Sequence, residues 1–223
     1  MKIFFIISIY FFSLNFEAKL KIEIIKGSEE LPDIAIVPFK SSFGRQFEYD
    51  IRDLINEKLT LFGEFNSLEL ERMLSFPFNE ESFYRRDWEL LSMDYVVFGE
   101  VYETEGKLVL NYLVADIDLK RIILRGDITG DKKNIELITK KISDRVYESI
   151  TGLKGIFNTK LAYILNPEPN KYSICVSDID GDNEKILFSS NSPLMSPDWS
   201  PDGNKLAYAV SYTHLRAHET ATY

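Results

Sequence analysis

Three closely spaced carboxylates are the first candidates for chemistry. Asp178, Asp180 and Asp182 occupy alternate positions, and clustered carboxylates are typical calcium ligands. An EF-hand loop, however, requires glycine at its sixth position and an acidic residue at its twelfth. Counted from Asp178, Gly181 is fourth and Ser189 is twelfth. We therefore interpret this segment as a hairpin turn rather than a calcium site.

Two further groups of charged residues are candidates of the same kind. Asp116 and Asp118 could act as paired carboxylates in acid–base catalysis, but they end a predicted strand at a turn, where we expect them to be solvated. The pairs Lys132-Lys133 and Lys140-Lys141 fall on a predicted helix. We interpret both pairs as parts of a solvated helix face.

The residues needed for nucleophilic catalysis are missing from most of the chain. Both histidines, His214 and His218, lie in the last 13 residues, so residues 1–210 can form no Ser-His-Asp triad, Cys-His pair or imidazole metal site. The sequence also contains no Gly-x-Ser-x-Gly, Walker or dinucleotide-binding motif. The single cysteine, Cys175, lies in an alternating apolar run, which indicates a buried thiol. We predict no catalytic residue, no cofactor and no metal site.

The composition indicates a globular and acidic protein. The 223 residues are 45% hydrophobic and 13% aromatic, and the formal net charge is -9. This apolar content is sufficient for a packed core. A negative chain without a Lys/Arg cluster longer than two residues is not expected to bind nucleic acid, and no feature suggests a small-molecule substrate.

The N-terminus has the layout of an export signal. Lys2 precedes an apolar run from Ile3 to Leu14, and a short polar stretch ends at Ala18. Twelve apolar residues in a helix would span about 18 Å, whereas a hydrocarbon core is about 30 Å thick. We therefore predict a signal peptide over residues 1–18 and a soluble mature protein, with an uncleaved anchor as the alternative.

The next part of the chain alternates between helical and strand periodicity. The apolar run 33–39 predicts a strand covered on both faces, and residues 47–62 predict an amphipathic helix. Ser67 could cap a short helix. Residues 94–127 predict three antiparallel strands, and a long helix should follow from Asp131 to Gly152. These elements predict a mixed α/β (α+β) domain with flanking helices.

The predicted secondary structure changes from mixed helices and strands to strands alone after this domain. Four short strands are predicted at 161–165, 172–176, 185–188 and 205–210, with turns but no helix between them. Four strands in about 50 residues have the size of one propeller blade. The predicted organisation is therefore as follows: signal peptide 1–18, α/β domain 19–151, linker 152–158 and first blade 159–210.

A turn motif precedes the last of these strands. It consists of Ser196, Pro197, Asp198, Trp199, Ser200, Pro201, Asp202 and Gly203. Pro201 presets the first corner of a turn, Asp202 can bond to its own backbone, and Gly203 can adopt a left-handed conformation. Trp199 is expected to wedge between sheets. The motif resembles the WD40-like propeller repeat of the TolB family, although propellers attached to serine peptidases also carry it.

Other segments extend this resemblance over most of residues 19–210. Residues 150–163 resemble the family's junction between domains, 176–183 its first hairpin, and 36–39 and 94–101 strands of its N-terminal domain. The resemblance implies an α/β domain followed by a six-bladed propeller. It also implies a periplasmic, non-enzymatic scaffold of the Tol-Pal system that helps to maintain the outer membrane during cell division.

The resemblance also implies two partners. The propeller would bind the Pal lipoprotein, and the extreme N-terminal segment would bind a TolA-like inner-membrane protein. That segment has alternating apolar residues that suit strand donation: Lys19, Leu20, Lys21, Ile22, Glu23, Ile24, Ile25 and Lys26. A plain edge strand is the structural alternative.

Two departures from the family pattern leave an alternative function open. The chain stops where five more blades would be expected, and residues 211–223 resemble translated adapter DNA, so we interpret them as a non-native tail of a truncated sequence. The alternative to a scaffold is the N-terminal part of an exported, propeller-containing serine peptidase. That reading does not predict the α/β domain.

Overall fold

The computed structural model describes residues 31–41 and 43–211, together with the backbone of 220–222. The predicted signal peptide, residues 1–18, and the predicted partner-binding strand, residues 19–26, lie outside the described residues. Within the described part of the chain, no helix is long and apolar enough to cross a membrane.

A mixed six-stranded sheet forms the centre of the first domain. Its order is β3-β1-β4-β5-β6, and β2 pairs with the second half of β4. Strand β1 runs parallel to both of its neighbours, whereas β4, β5 and β6 are antiparallel. The strands are β1 Asp33–Ile36, β2 Lys40–Ser41, β3 Asn66–Ser67, β4 Tyr95–Thr104, β5 Lys107–Asp116 and β6 Arg121–Gly130.

Strand β1 is covered on both faces, as its apolar run predicted. Ile34 and Ile36 lie in the hydrophobic core on the helical side of the sheet, and Ala35 and Val37 lie in a second core on the opposite side. All four side chains are fully buried. This explains why the run is continuous rather than alternating.

Two amphipathic helices cover one face of the sheet. Helix α1 (Arg45–Thr60) buries Ile51, Ile55 and Leu59. A later helix, α3 (Ile135–Thr151), follows a 3₁₀ turn at Lys132–Asn134 and buries Ile138, Ile142 and Val146. It ends where Gly152 adopts a left-handed conformation with φ of 72°, the usual role of a C-terminal glycine.

The other face is covered by irregular structure. Two 3₁₀ turns (Leu70–Arg72 and Glu80–Ser82) and the short helix α2 (Arg85–Leu90) lie there, with Trp88 fully buried. The prediction that Ser67 caps a short helix is wrong. Ser67 belongs to β3, where its neighbours Asn66 and Leu68 donate backbone hydrogen bonds to Pro32 and Ile34, and its Oγ bonds to the Asn56 side chain.

The three antiparallel strands β4 to β6 confirm the predicted meander. The turn between β4 and β5 consists of Glu105 and Gly106, which both have positive φ, 54° and 75°. Such a two-residue turn matches the twist of the flanking strands.

The propeller-type strands form two sheets rather than one. The first sheet has the order β7-β8-β9 and the second β10-β11-β12. The expected four-stranded unit over 159–210 is therefore divided, because the segment before the last strand is itself extended and pairs antiparallel with β11. The strands are β7 Lys160–Glu168, β8 Lys171–Asp178, β9 Lys185–Ser190, β10 Leu194–Trp199, β11 Lys205–Val210 and β12 Thr220–Thr222.

A four-residue repeat marks this division. The letters KLAY open β7 at 160–163 and recur at the start of β11 at 205–208, 45 positions later. This spacing matches WD40-type repeats of about 40–45 residues. This repeat is a sequence signal for two sheets within 159–210.

The two sheets share one hydrophobic cluster. Ile174 of β8 lies in it with Leu194, Leu206 and Tyr208 of the second sheet. Trp199 is partly buried against the same cluster, which agrees with its expected position between sheets. The two sheets are therefore held together by burial of their facing apolar side chains.

The segment 152–158 is packed on the first domain rather than being a free linker. Phe157 is only 2% exposed and belongs to the core on the helical side. Its ring lies 6.0 Å from that of Phe62 and 5.7 Å from that of Tyr147, and its backbone N–H donates to Asp144 Oδ1 at 2.7 Å. The chain thus leaves the first domain only after Phe157.

Candidate functional site

The turn between β10 and β11 is organised around the Asp202 side chain. Its Oδ1 accepts hydrogen bonds from Ser200 Oγ at 2.5 Å and from the Asn204 N–H at 3.2 Å. The Gly203 N–H donates to the Ser200 carbonyl at 2.8 Å, and Gly203 has φ of 69°. The bonds from Ser200 and Asn204 to the carboxylate lower the pKa of Asp202. Together with the Gly203 bond they keep the turn closed.

The other residues of the motif lie on β10. Ser196 and Asp198 are exposed, and Pro197 lies between them. Because β10 is an edge strand of its sheet, a proline without an N–H is tolerated there. Ser196 has φ of 52° at an irregularity in the pairing with β11, so the two exposed polar side chains sit on a bulged edge.

The turn between β8 and β9 lies at the junction with the first domain. The Gly181 N–H donates to the Asp178 carbonyl at 3.0 Å, and the Asp182 N–H donates to Asp180 Oδ1 at 3.0 Å. This confirms the predicted hairpin turn. The side chains of Asp178 and Asp180, however, are only 6% and 5% exposed, because they point into the junction.

Lysines of both long helices meet these aspartates. Lys58 of α1 places its Nζ 2.7 Å from Asp180 Oδ2, and Lys140 of α3 places its Nζ 2.6 Å from Asp178 Oδ2. Lys160, at the start of β7, bonds to the other Asp178 oxygen. The two domains are therefore joined by paired charges.

The burial of Lys140 contradicts our interpretation of Lys140-Lys141 as a solvated face. Lys141 is exposed, but Lys140 is only 6% exposed. The sequence next to Lys140 gave an indication of this burial, because Thr139 and Ser143 are small residues four positions apart on the helix. Both are fully buried beside the apolar stripe. They widen the buried face of α3, so this helix contacts more than the sheet beneath it.

The junction stabilises the ionised forms of its members. Burial alone would raise the pKa of Asp178, but hydrogen bonds from Lys140, Lys160 and Asn183 lower it well below its ordinary value. Burial would also raise the pKa of Asp180, but the bonds from Lys58 and the Asp182 N–H and the charges of Lys58 and Lys140 together lower it. Burial would lower the pKa of Lys58, but its bonds to Asp180 and Glu57 raise it.

One group of carboxylates at the junction is close enough together to bind a metal ion. Oxygens of Glu57, Asp180 and Asp182 lie within 4.8 Å of one another. The Lys58 Nζ lies 2.8 Å from Glu57 Oε1 and 2.7 Å from Asp180 Oδ2. Because the ammonium already supplies the positive charge that a cation would provide, we assign no metal to this group.

The remaining candidates have structural roles. Asp116 is only 8% exposed, contrary to the expectation of a solvated pair, because its Oδ1 accepts from the Leu119 N–H at 2.7 Å and closes the turn after β5. Asp118 is exposed as expected. Cys175 is fully buried, and burial raises the pKa of its thiol.

Comparison with known proteins assigns both parts of the chain to one family. A model of the TolB amino-terminal domain matches residues 20–122, and a model of the TolB β-propeller domain matches residues 147–218. The two matches follow in the order of the mixed domain and the propeller-type sheets described above.

Individual relatives agree with these matches. The Tol-Pal system protein TolB of Hahella chejuensis is 34% identical over 204 residues, which cover 89% of this chain and 47% of the relative. That of Blochmanniella floridana is 35% identical, with coverages of 94% and 48%. The crystal structure of TolB from Acinetobacter baumannii superimposes with a TM-score of 0.68 at 28% identity, over 79% of this chain and 43% of that one.

The chain spans about half the length of the relatives it matches. Its mixed α/β domain corresponds to the amino-terminal domain of these proteins, and its two small sheets correspond to a part of their propeller. The chain therefore belongs to the TolB family.

Proposed function

We propose that this protein is a periplasmic, non-enzymatic scaffold of the Tol-Pal system, which binds envelope proteins to maintain the outer membrane and to assist cell division. The observation that carries the proposal is the ordered match of an amino-terminal TolB domain and a TolB propeller segment within one chain. Its relatives are named Tol-Pal system proteins. A propeller-containing peptidase would account for the second match but not for the first.

The proposal includes a finer architecture. The sheet β7-β8-β9 and the hairpin β10-β11 would belong to adjacent blades of a six-bladed propeller, because each contains one copy of the KLAY repeat and the two share an apolar cluster. The domains would extend over 19–151 and from 159 onward, with the docked segment 152–158 between them, and residues 211–223 would be a non-native tail.

The partners follow from the family. The propeller would bind the Pal lipoprotein, and residues 19–26 would bind a TolA-like inner-membrane protein by adding a strand to its sheet. The two partners would therefore bind different parts of the chain. The two activities should therefore be separable by mutation.

Binding of the purified full chain to the periplasmic domains of Pal and TolA from the same genome tests this function. We expect both to bind, and deletion of residues 19–26 to abolish TolA binding but not Pal binding. A variant with the same eight residues in scrambled order is the matched control for length and charge, and should also lose TolA binding. Failure of the intact chain to bind either partner would contradict the scaffold function.

A further inference from the structure

A cluster of buried charges lies between the two domains and has no part in the proposed function. We infer that Lys58, Lys140, Asp178 and Asp180 form an ionic latch that fixes the orientation of the propeller-type sheets on the mixed domain. This inference does not depend on which partner the protein binds. It concerns how the two domains of this chain are held.

The latch joins elements that are remote in sequence. Lys58 and Asp180 are 122 positions apart, and Lys140 and Asp178 are 38 apart. The lysines come from two different helices of the mixed domain, whereas Asp178 ends β8 and Asp180 lies in the turn that follows. The end of β8 and the turn after it are thus held at two points, which prevents the rotation that a single contact would allow.

The charges of the latch balance and are satisfied. With Lys160 and Glu57, which bond to Asp178 and Lys58, three ammonium groups face three carboxylates. Lys140 Nζ also lies 3.8 Å from Asp180 Oδ2. Asn183 donates a further hydrogen bond to Asp178 at 2.7 Å. Separation of the domains would take Lys58 away from Asp180 and Lys140 away from Asp178, leaving Asp178 only its bonds to Lys160 and Asn183 and Lys58 only its bond to Glu57. The observed orientation is therefore favoured over others.

The covalent connection alone does not fix this orientation. Phe157 anchors the connecting segment in the core of the mixed domain, but the next two residues, Asn158 and Thr159, are exposed. Rotation about these residues would turn β7 relative to the mixed domain while Phe157 stays in place. The latch bonds the end of β8 and the turn after it to both helices of the mixed domain and opposes such rotation.

Distance measurement between two spin labels tests the latch on the full chain. Lys107→Cys in β5 and Asn191→Cys after β9 replace exposed residues of the two domains, in a background in which Cys175→Ala removes the natural thiol. We expect a single narrow distance distribution in this parent. The combined substitution Lys58→Met and Lys140→Met should broaden it at least twofold, because the aspartates lose both lysine partners from the mixed domain and Asp178 keeps only Lys160 and Asn183 of its own domain.

Two further variants make the result decisive. Lys141→Met removes an exposed lysine next to Lys140 and should leave the distribution narrow. Asp180→Asn removes one charge but retains the Oδ1 acceptor that holds the Asp182 N–H, so it serves if the double variant fails to fold by circular dichroism; it should broaden the distribution by a smaller factor. A broad distribution in the parent, or an unchanged narrow one in the folded latch variants, would overturn the inference.

Discussion

Lys58 Nζ lies 2.7 Å from Asp180 Oδ2, and each of the two side chains is only 5% exposed. One residue comes from the helix that covers the mixed sheet, and the other from a turn of the propeller-type region. Because desolvation offsets much of the attraction, a buried ion pair of this kind adds little to overall stability. Removal of one partner, in contrast, leaves a buried charge without its counterion.

The first prediction concerns this pair. Lys58→Met should lower the free energy of unfolding by about 3 kcal/mol, at the lower end of the range for a broken buried pair, because Asp180 keeps Lys140 nearby. Urea denaturation followed by circular dichroism measures the change. The control Lys141→Met should change it by less than about 0.5 kcal/mol; equal effects of the two substitutions would contradict the assignment.

Stability should also depend on pH in a defined direction. The pKa values of Asp178 and Asp180 are lowered in the folded protein, so their contribution is fully present above the unfolded value of about 3.9 and is lost as pH falls below it. We expect the urea midpoint to decrease below about pH 4. Asp178→Asn should reduce the steepness of this decrease, whereas the exposed Asp118→Asn should not.

Docking of the connecting segment can be tested through its aromatic anchor. Phe157→Ala removes a ring that is 2% exposed and contacts Phe62 and Tyr147, so it should cost about 3 to 5 kcal/mol. Differential scanning calorimetry would record the lower unfolding temperature. Leu153→Ala, at a side chain that is 63% exposed in the same segment, should be nearly neutral. A neutral Phe157→Ala would mean that the segment is not docked.

The single thiol offers a measure of the first propeller-type sheet. Cys175 is fully buried in β8, and burial raises the pKa of its thiol, so both access and the thiolate fraction are reduced. We expect its reaction with 5,5′-dithiobis(2-nitrobenzoate) to be slow in buffer and fast in urea. Rapid reaction in buffer would show that this sheet opens readily.

Local sequence patterns determined the elements of this protein. The continuous apolar run gave β1, the helical spacing gave α1 and α3, and the alternation from residue 94 onward gave the meander, because burial of one face imposes its period on the residues. The turn with Asp202 and Gly203 could be predicted for the same reason: its bonds join residues that are close in sequence.

Only the tertiary structure decided which charged residues have a role. From the sequence, Lys140 was expected to be as exposed as its neighbour Lys141, and Asp178 and Asp180 were expected to be residues of a hairpin turn. The fold brings them together from positions 38 and 122 residues apart, and no local pattern reports such a distance. Likewise, the periods of the last strands did not show which strands pair, because hydrogen bonding between strands is not encoded in the period of either strand alone. The KLAY repeat indicates two units, but only the structure shows the pairing of β10 with β11.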